Sequence, residues 1–404
     1  SAPIVYAGVF WVFGEKILFP AAIAPTILDE FPYWQRDWLD APEAQFAVLL
    51  SLLFLTCFAL GVYVVRSRVT PGDAASPDVT VAPELVRGGR VCIVLGLSLA
   101  ALALVRLGVT IFLQPYNVYY GVHNNFSWSI WIVAFGLTVQ AAGGRPIRSI
   151  LKTAGFCYLP IAVLSMLGGA RVAPLFSAAV LGVVLAKRGL RVPRLRLLVA
   201  AICVLALISI VKEVRQTGWS EFAQSGTIEE AVTLTGGLTE MGGSLKPVYA
   251  VVHSIRVRGE DYFYGETYIY PFYRQFQRLA GMERGTKYTD RRFVAVYTSF
   301  SYGSIGFSTV AEAFFNGGIL GVVVFALAWG VILGILDQRA SSPYGLAILS
   351  AVMIPMMTNI RNSFIYVPAW IFLGMMAIGI CRYFLLVPRE RDSIAASTYR
   401  AGRA

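Results

Sequence analysis

Four arginines stand where a hydrophobic chain has little reason to carry them. Arg106 lies inside LAALALVRLGVTIFL. Arg171 heads RVAPLFSAAVLG directly after the apolar run TAGFCYLPIAVLSMLGGA. Arg215 falls in KEVRQTG, and Arg361 in TNIRNSF. A charge at membrane depth is costly and usually faces a cavity or a partner. A guanidinium keeps its proton and matches a phosphate bidentately, so such a group suits an anionic ligand at a membrane interface. Taken singly, each arginine also suits snorkelling to lipid phosphates.

Three further features could do chemistry beside them. DYFYGETYIYPFYRQFQR (261–278) offers Tyr264, Tyr268 and Tyr273 with Arg274 and Arg278. Such aromatic faces suit sugar rings, and equally the interfacial belt where Tyr and Trp collect. GSIGFSTVAEAFFNGG (303–318) carries Glu312 where an apolar helix begins. That carboxylate could act as a general base, bind a hydroxyl, or simply favour the helix dipole. Its glycines 303, 306, 317 and 318 read as a tight loop before the helix. Of the two histidines, His123 and His253, the second is a candidate acid/base group, though VYAVVHSI also suits a structural role. There is no DxD, HExxH or Walker sequence, so neither a metal nor any other cofactor is called for.

Membrane helices must position these groups. Of 404 residues 57% are hydrophobic and 14% charged, against roughly 25% charged in soluble domains, which describes an all-α polytopic membrane protein. Stretches at about 45–65, 91–113, 128–143, 153–169, 172–186, 197–211, 317–336, 343–359 and 366–387 approach spanning length, and 3–24 makes a weaker tenth. One set of short loops holds Arg66, Arg68, Arg87, Arg90, Arg145, Arg148, Lys152, Lys187, Arg188, Arg191, Arg194, Arg196, Arg339, Arg389 and Arg391. The alternate loops hold Arg36, Arg171 and Arg361. The positive-inside rule makes the first set cytoplasmic, with both termini. This accounts for the net charge of +11 without nucleic acid. From Lys212 to Arg292 the chain has eleven basic and ten acidic residues and nothing apolar enough to span. It reads as a folded outer module containing helix-like TIEEAVTL and SLKPVYAVVHSIRV. The division expected is 1–211 and 306–387 in the membrane, 212–305 outside it, and a cytoplasmic tail at 388–404. Five cysteines, none in CxxC spacing, all fall in apolar stretches and read as buried thiols.

From about residue 90 onward the chain resembles the Wzy-type O-antigen polymerases, relatives of the O-antigen ligases. The similarity rests on GGARVAPLF at a helix hairpin, FYGETYIYPFYR, and GFSTVAEAFFNGGILG. Some members carry Arg-x10-Gly in two outer loops, and Arg171 to Gly182 and Arg274 to Gly285 have that spacing. The resemblance implies about ten helices with a large outer loop module, similar to GT-C-type glycosyltransferases. It implies location in the bacterial inner membrane with the site facing the periplasm. The substrates implied are undecaprenyl-diphosphate-linked oligosaccharides, among membrane lipids, with a chain-length regulator and a flippase as possible partners. Arg106, Arg171, Arg215, Arg274, Arg278 and Arg361 would then hold the diphosphate, Tyr264, Tyr268 and Tyr273 the sugars, and Glu312 or His253 would take the proton. An O-antigen ligase using an outer histidine is the alternative, and a lipid-linked oligosaccharide transporter a further one.

Overall fold

The computed structural model describes residues 1–14, 38, 41–67, 81–113, 123–193, 195–196, 199, 202–204, 206–208, 210–211, 244–282, 290–302 and 306–384. Among them there is no strand. In lipid a backbone must satisfy its own polar groups, so long apolar runs become helices. The described helices are α1 (Ala2–Gly14), α2 (Pro42–Arg66), α3 (Pro83–Leu107), α4 (His123–Ala142), α5 (Ile147–Leu167, with a π turn at Ala154–Tyr158), α6 (Val172–Lys187), α7 (Leu245–Arg256), α8 (Glu266–Leu279), α9 (Val294–Tyr302), α10 (Thr309–Arg339), α11 (Pro343–Asn359) and α12 (Val367–Phe384). Prolines at the first turn start α2, α3 and α11, where the missing N–H costs nothing.

Two helix pairs form the frame, α3 along α4 and α2 along α10, with α6 and α11 closing on α4. Small residues let backbones approach, which is how helices associate in lipid. A Cβ on Gly89 would stand 2.5 Å from the Gly136 carbonyl oxygen, and one on Gly136 would stand 2.6 Å from that of Gly89. The crossing of α3 and α4 therefore needs glycine on both sides.

The basic loops gather at one end. Asp337 near the end of α10 accepts the Ala2 N–H at 2.9 Å and pairs with Lys187 at 2.9 Å and Arg66 at 3.1 Å. Across the α10–α11 turn, Tyr344 donates to Glu84, and Arg382 lies over the Tyr344 ring. Ala82 donates to the Gly143 carbonyl beside Arg145. The ends of α2, α4, α6, α10 and α12 thus meet the starts of α1, α3 and α11. Arg106, Arg171, Arg361 and the start of α10 are left at the opposite end.

Several expectations shift. Five described helices, α2, α3, α5, α10 and α12 with its 3-10 lead-in, are long and apolar enough to cross a membrane. Ala2–Trp11, Phe126–Ala142 and Val172–Lys187 are shorter apolar helices. The stretch expected at 91–113 forms a helix over 83–107, followed by a 3-10 turn, because Pro83 starts it and Gly108 at φ 72° ends it. Arg106 is therefore exposed in the last turn. α10 starts eight residues before the expected 317: Thr309–Asn316 is helical rather than loop, and the non-helical Gly317 and Gly318 separate it from the spanning part. Cys57 and Cys381 are buried as expected, Cys92 and Cys157 are half-buried, and Cys203 is exposed, a small apolar side chain on an outward helix face. TIEEAVTL, six of the fifteen residues 197–211 and the tail from 385 lie outside the described residues, as does the part of 3–24 beyond Gly14.

Candidate active site

At the end opposite the basic loops, α10 begins with Ser308, whose hydroxyl accepts from the amides of Val310 (3.2 Å) and Ala311 (3.4 Å). An N-cap serine satisfies orphan amides of the first turn. One turn on, Glu312 is 1% exposed. Its Oε2 accepts the backbone N–H of Phe364 at 2.6 Å, which ties α10 to the segment joining α11 and α12. That segment is tied twice more: the Phe307 N–H reaches the Arg361 carbonyl at 3.1 Å, and the Thr309 hydroxyl reaches the Asn359 carbonyl at 2.9 Å.

Asn316 stands one further turn along, on the same face as Glu312, and holds a second segment. Its Oδ1 accepts from the amides of Gly265 (3.1 Å) and Thr267 (3.4 Å), and its Nδ2 donates to the Thr267 hydroxyl (2.6 Å) and the Glu312 carbonyl (2.8 Å). Glu266 opens α8, so a side chain from another helix caps α8. Phe263 donates its N–H to the Phe315 carbonyl at 2.9 Å, and their rings meet edge-on at 4.7 Å. The helix breaks immediately after, at Gly317 and Gly318. Gly318 has φ 59° and ψ −147°, which only glycine adopts readily, and a Cβ there would stand 3.3 Å from the Tyr262 hydroxyl.

The tyrosines divide by face. Tyr268 stacks on Phe325 (5.0 Å, 12°) and meets Phe364 edge-on (5.1 Å). Burial, and then the nearby Glu312, push its phenol well above the ordinary range, so it stays protonated. Tyr264 is 81% exposed and holds φ 48° beside Gly265 at φ 90°. Two successive left-handed residues make a tight turn, strained at the tyrosine. Tyr273 sits on an exposed stripe with Ile269, Phe272 and Phe276, at i, i+3, i+4 and i+7 along α8.

Past α8, Asp290 forms a two-pronged pair with Arg292, both bonds 2.9 Å. Burial alone would raise the Asp290 carboxyl, but Arg292 outweighs it and holds the group below the ordinary range. Arg292 lies 4.0 Å over the Tyr270 ring. Arg291 approaches Glu260 at 3.5 Å and faces the rings of Tyr297 and Phe263. Arg274 lies 4.4 Å from the Phe293 ring centre, and its buried Nη1 makes no hydrogen bond with the described residues.

The remaining candidates are spread around this end. Arg171, 3% exposed, is the N-cap residue of α6, and the span to Gly182 runs down that helix rather than around a loop. Arg361 is half-buried at the turn after α11. His253, half-buried on α7, shares a 2.8 Å hydrogen bond between Nδ1 and the Tyr302 hydroxyl and lies beside Tyr249. α7 packs on α2 and α10, so it is seated against the membrane helices. Arg215 and Gly285, and the side chains of Arg278 and His123, lie outside the described residues. The structure therefore joins Glu312, Tyr268 and the backbone of Arg361, and it leaves His253 on a separate aromatic cluster. Sequence reasoning missed Asn316 and Thr267 as the pins between segments. The four-residue spacing from Glu312 to Asn316 was the available signal.

Protein CapE from Staphylococcus aureus is similar to this chain, at 27% identity over 150 residues. Those residues make up 37% of the chain and 33% of CapE, so the chain spans about a third of that relative's length. No solved structure matches. The family described as O-antigen polysaccharide polymerase Wzy matches residues 26–388, a range that takes in all three segments pinned together by Glu312 and Asn316. The chain is a helical membrane protein that belongs to the O-antigen polysaccharide polymerase Wzy family.

Proposed function

We propose that the protein polymerises polyprenyl-diphosphate-linked oligosaccharide repeat units, without a metal, on the outer face of the bacterial inner membrane. The observation that carries this reading is the convergence of FYGETYIYPFYR, GFSTVAEAFFN and TNIRNSF at the end away from the basic loops. The positive-inside tendency makes that end periplasmic. The ten-span, GT-C-like arrangement and the division at 212 and 305 belong to the same reading.

In this reaction an acceptor hydroxyl attacks the anomeric carbon of the donor. The new C–O bond forms as the bond to the polyprenyl diphosphate breaks, and the diphosphate leaves with the electron pair. Charge grows on the departing oxygen, so fixed guanidinium groups lower the barrier. Arg274 supports that role, because its buried Nη1 makes no hydrogen bond with the described residues and calls for an acceptor. Arg171 and Arg361 share its end of the molecule, and Arg215 and Arg278 are assigned with them. Exposed at the end of α3, Arg106 fits an outer-leaflet lipid phosphate as well as a substrate. The acceptor proton passes to a base worth roughly 10²–10⁴-fold. His253 keeps its second ring nitrogen for that task, with Tyr302 orienting the ring. Glu312, buried and bonded to Phe364, positions the segments in this account. Tyr264 and Tyr268 border the sugar path, and Tyr273 faces lipid with its stripe.

The test is to incubate protein purified in nanodiscs with polyprenyl-diphosphate repeat units alone and to size the glycans. A ladder is expected. Extension only when a lipid-core acceptor is added would establish the ligase reading instead, which the His253–Tyr302 pair favours.

A further inference from the structure

A cavity of about 510 Å³ opens between the turn leading into α8 and the residues leading into α9. That volume falls within the roughly 300–1,000 Å³ of small-molecule sites. Asp261, Tyr262 and Phe263 form one wall and Glu266 its edge, and Asp290 to Arg292 form the other. Of its two arginines, Arg292 is fully engaged and Arg291, half-exposed, only in part. Arg292 grips Asp290 and covers Tyr270, and Arg291 is held by Glu260 and two aromatic rings. The Asp261 and Glu266 carboxylates accept no hydrogen bond from the described residues, Glu266 lies in the field of Arg292, and Tyr262 offers a phenol and a ring edge beside them. With three carboxylates against two arginines, the lining is net acidic.

We propose that this cavity binds a neutral or amino sugar residue of the glycan substrate, with Asp261 and Glu266 accepting its hydroxyl protons and Tyr262 and Phe263 covering its apolar face. An anionic group such as a diphosphate or a uronate is disfavoured, because carboxylates outnumber the guanidinium groups around the opening and Arg292 is already paired with Asp290. A hydroxyl that donates to a carboxylate makes a charge-assisted bond, about twice as strong as a neutral one. The place in the fold agrees. Tyr262 abuts Gly318 and Phe263 pairs with Phe315, so one wall is continuous with the face of α10 that carries Glu312 and Asn316. The other wall reaches Arg274 through the Tyr270–Phe293 ring pair. A sugar seated here lies next to the arginine assigned to the diphosphate. The inference rests on the polymerase reading only in calling that sugar part of the substrate.

Saturation-transfer NMR tests it without any reaction. The full chain is placed in phosphatidylcholine nanodiscs, free of sugar-headed detergent, with empty nanodiscs as the blank. The probes are methyl glucoside, N-acetylglucosamine, glucosamine and glucuronate. Transfer is expected to the first three and not to glucuronate. Asp261→Asn with Glu266→Gln should weaken binding of the neutral sugars about tenfold, the loss of roughly one charge-assisted hydrogen bond, and should abolish discrimination against glucuronate. Both positions are solvent-facing, so folding is checked by circular dichroism alone. Equal transfer to glucuronate in the wild-type chain, no transfer to any sugar, or a double variant indistinguishable from wild type overturns the proposal. Sugar binding without a ladder would refute the polymerase reading and leave the cavity standing. A ladder without sugar binding would do the reverse.

Discussion

Asn316 should be the residue whose loss frees α8. In Asn316→Ala the amides of Gly265 and Thr267 lose their acceptor, and the Thr267 hydroxyl loses a donor at 2.6 Å. The Glu312 carbonyl, also released, lies within the helix, so its loss counts for less. Removing a helix N-cap costs about 0.5–2 kcal/mol, and a further buried hydrogen bond about 1 kcal/mol. Aromatic packing of Tyr268 and Phe263 remains, so the expected local cost is about 2 kcal/mol. That corresponds to roughly thirtyfold faster opening of the attached segment. Hydrogen exchange followed by mass spectrometry in nanodiscs reads this directly. Peptides covering 263–279 should exchange about thirtyfold faster, and those from α3 and α4 should be unchanged. Thr267→Val should show part of the effect, and the double variant less than the sum, with a coupling of about 1 kcal/mol. Exchange at 263–279 within threefold of wild type, or acceleration spread equally over α3 and α4, would refute the claim that Asn316 caps α8.

Glu312→Gln keeps an oxygen for the Phe364 amide and should leave the fold intact, whereas Glu312→Ala strips that acceptor and should loosen 359–366 in the same exchange experiment. Ladder formation by Glu312→Gln at wild-type rates would confine Glu312 to positioning, as assigned here. Gly136→Leu sets a side chain against the Gly89 carbonyl, where a Cβ alone would stand 2.6 Å away, so α3 and α4 must part. Overpacking of about 1–3 kcal/mol or more should appear as a lower melting temperature and a poor monodisperse yield. With the exposed stripe placed against lipid as proposed, spin labels at Phe272 and Phe276, in a cysteine-free background, should be more accessible to oxygen than to a water-soluble nickel complex; the opposite ranking would place it in water. The Asp290 carboxyl is held below its ordinary value, so the Asp290–Arg292 pair contributes in full at neutral pH and is lost only as the pH falls below about 4. A carboxyl carbon-13 titration with a midpoint above 5 would contradict the pairing.

Much of this architecture was legible because bilayers demand it. Apolar length announced the helices, and Asp337, Lys187 and Arg66 meet at one end of them. Hydropathy blurred the boundaries, since Gly317 and Gly318 are non-helical as read, but the residues before them, Thr309–Asn316, form helix rather than loop. The site was legible as residue types and not as partnerships. Glu312 was singled out for its charge, yet its carboxylate is directed at a backbone amide 52 residues away, and no periodicity reports such a contact. Tyr268 and Tyr273 look alike in the sequence. They part because helical geometry turns one toward Phe325 and the other out with Phe272.

The kink after Asn316 explains why a membrane helix can serve as the spine of this site. A straight α10 would carry its lipid-facing surface up to residue 309, and Tyr262 would meet side chains where Gly318 now stands. Breaking the helix at two glycines lets the Thr309–Asn316 turns tilt independently of the spanning part. Their buried face can then be given over to Asn359, Phe364, Gly265 and Thr267 rather than to lipid. Two segments distant in sequence are fixed to those two turns by hydrogen bonds and ring contacts. The cavity beside Asp261 and the half-buried Arg274 are positioned by them in turn. A rigid corner of this kind, supplied by Asn316 with Gly318, suits the substrate proposed above, anchored in the membrane and extended into water.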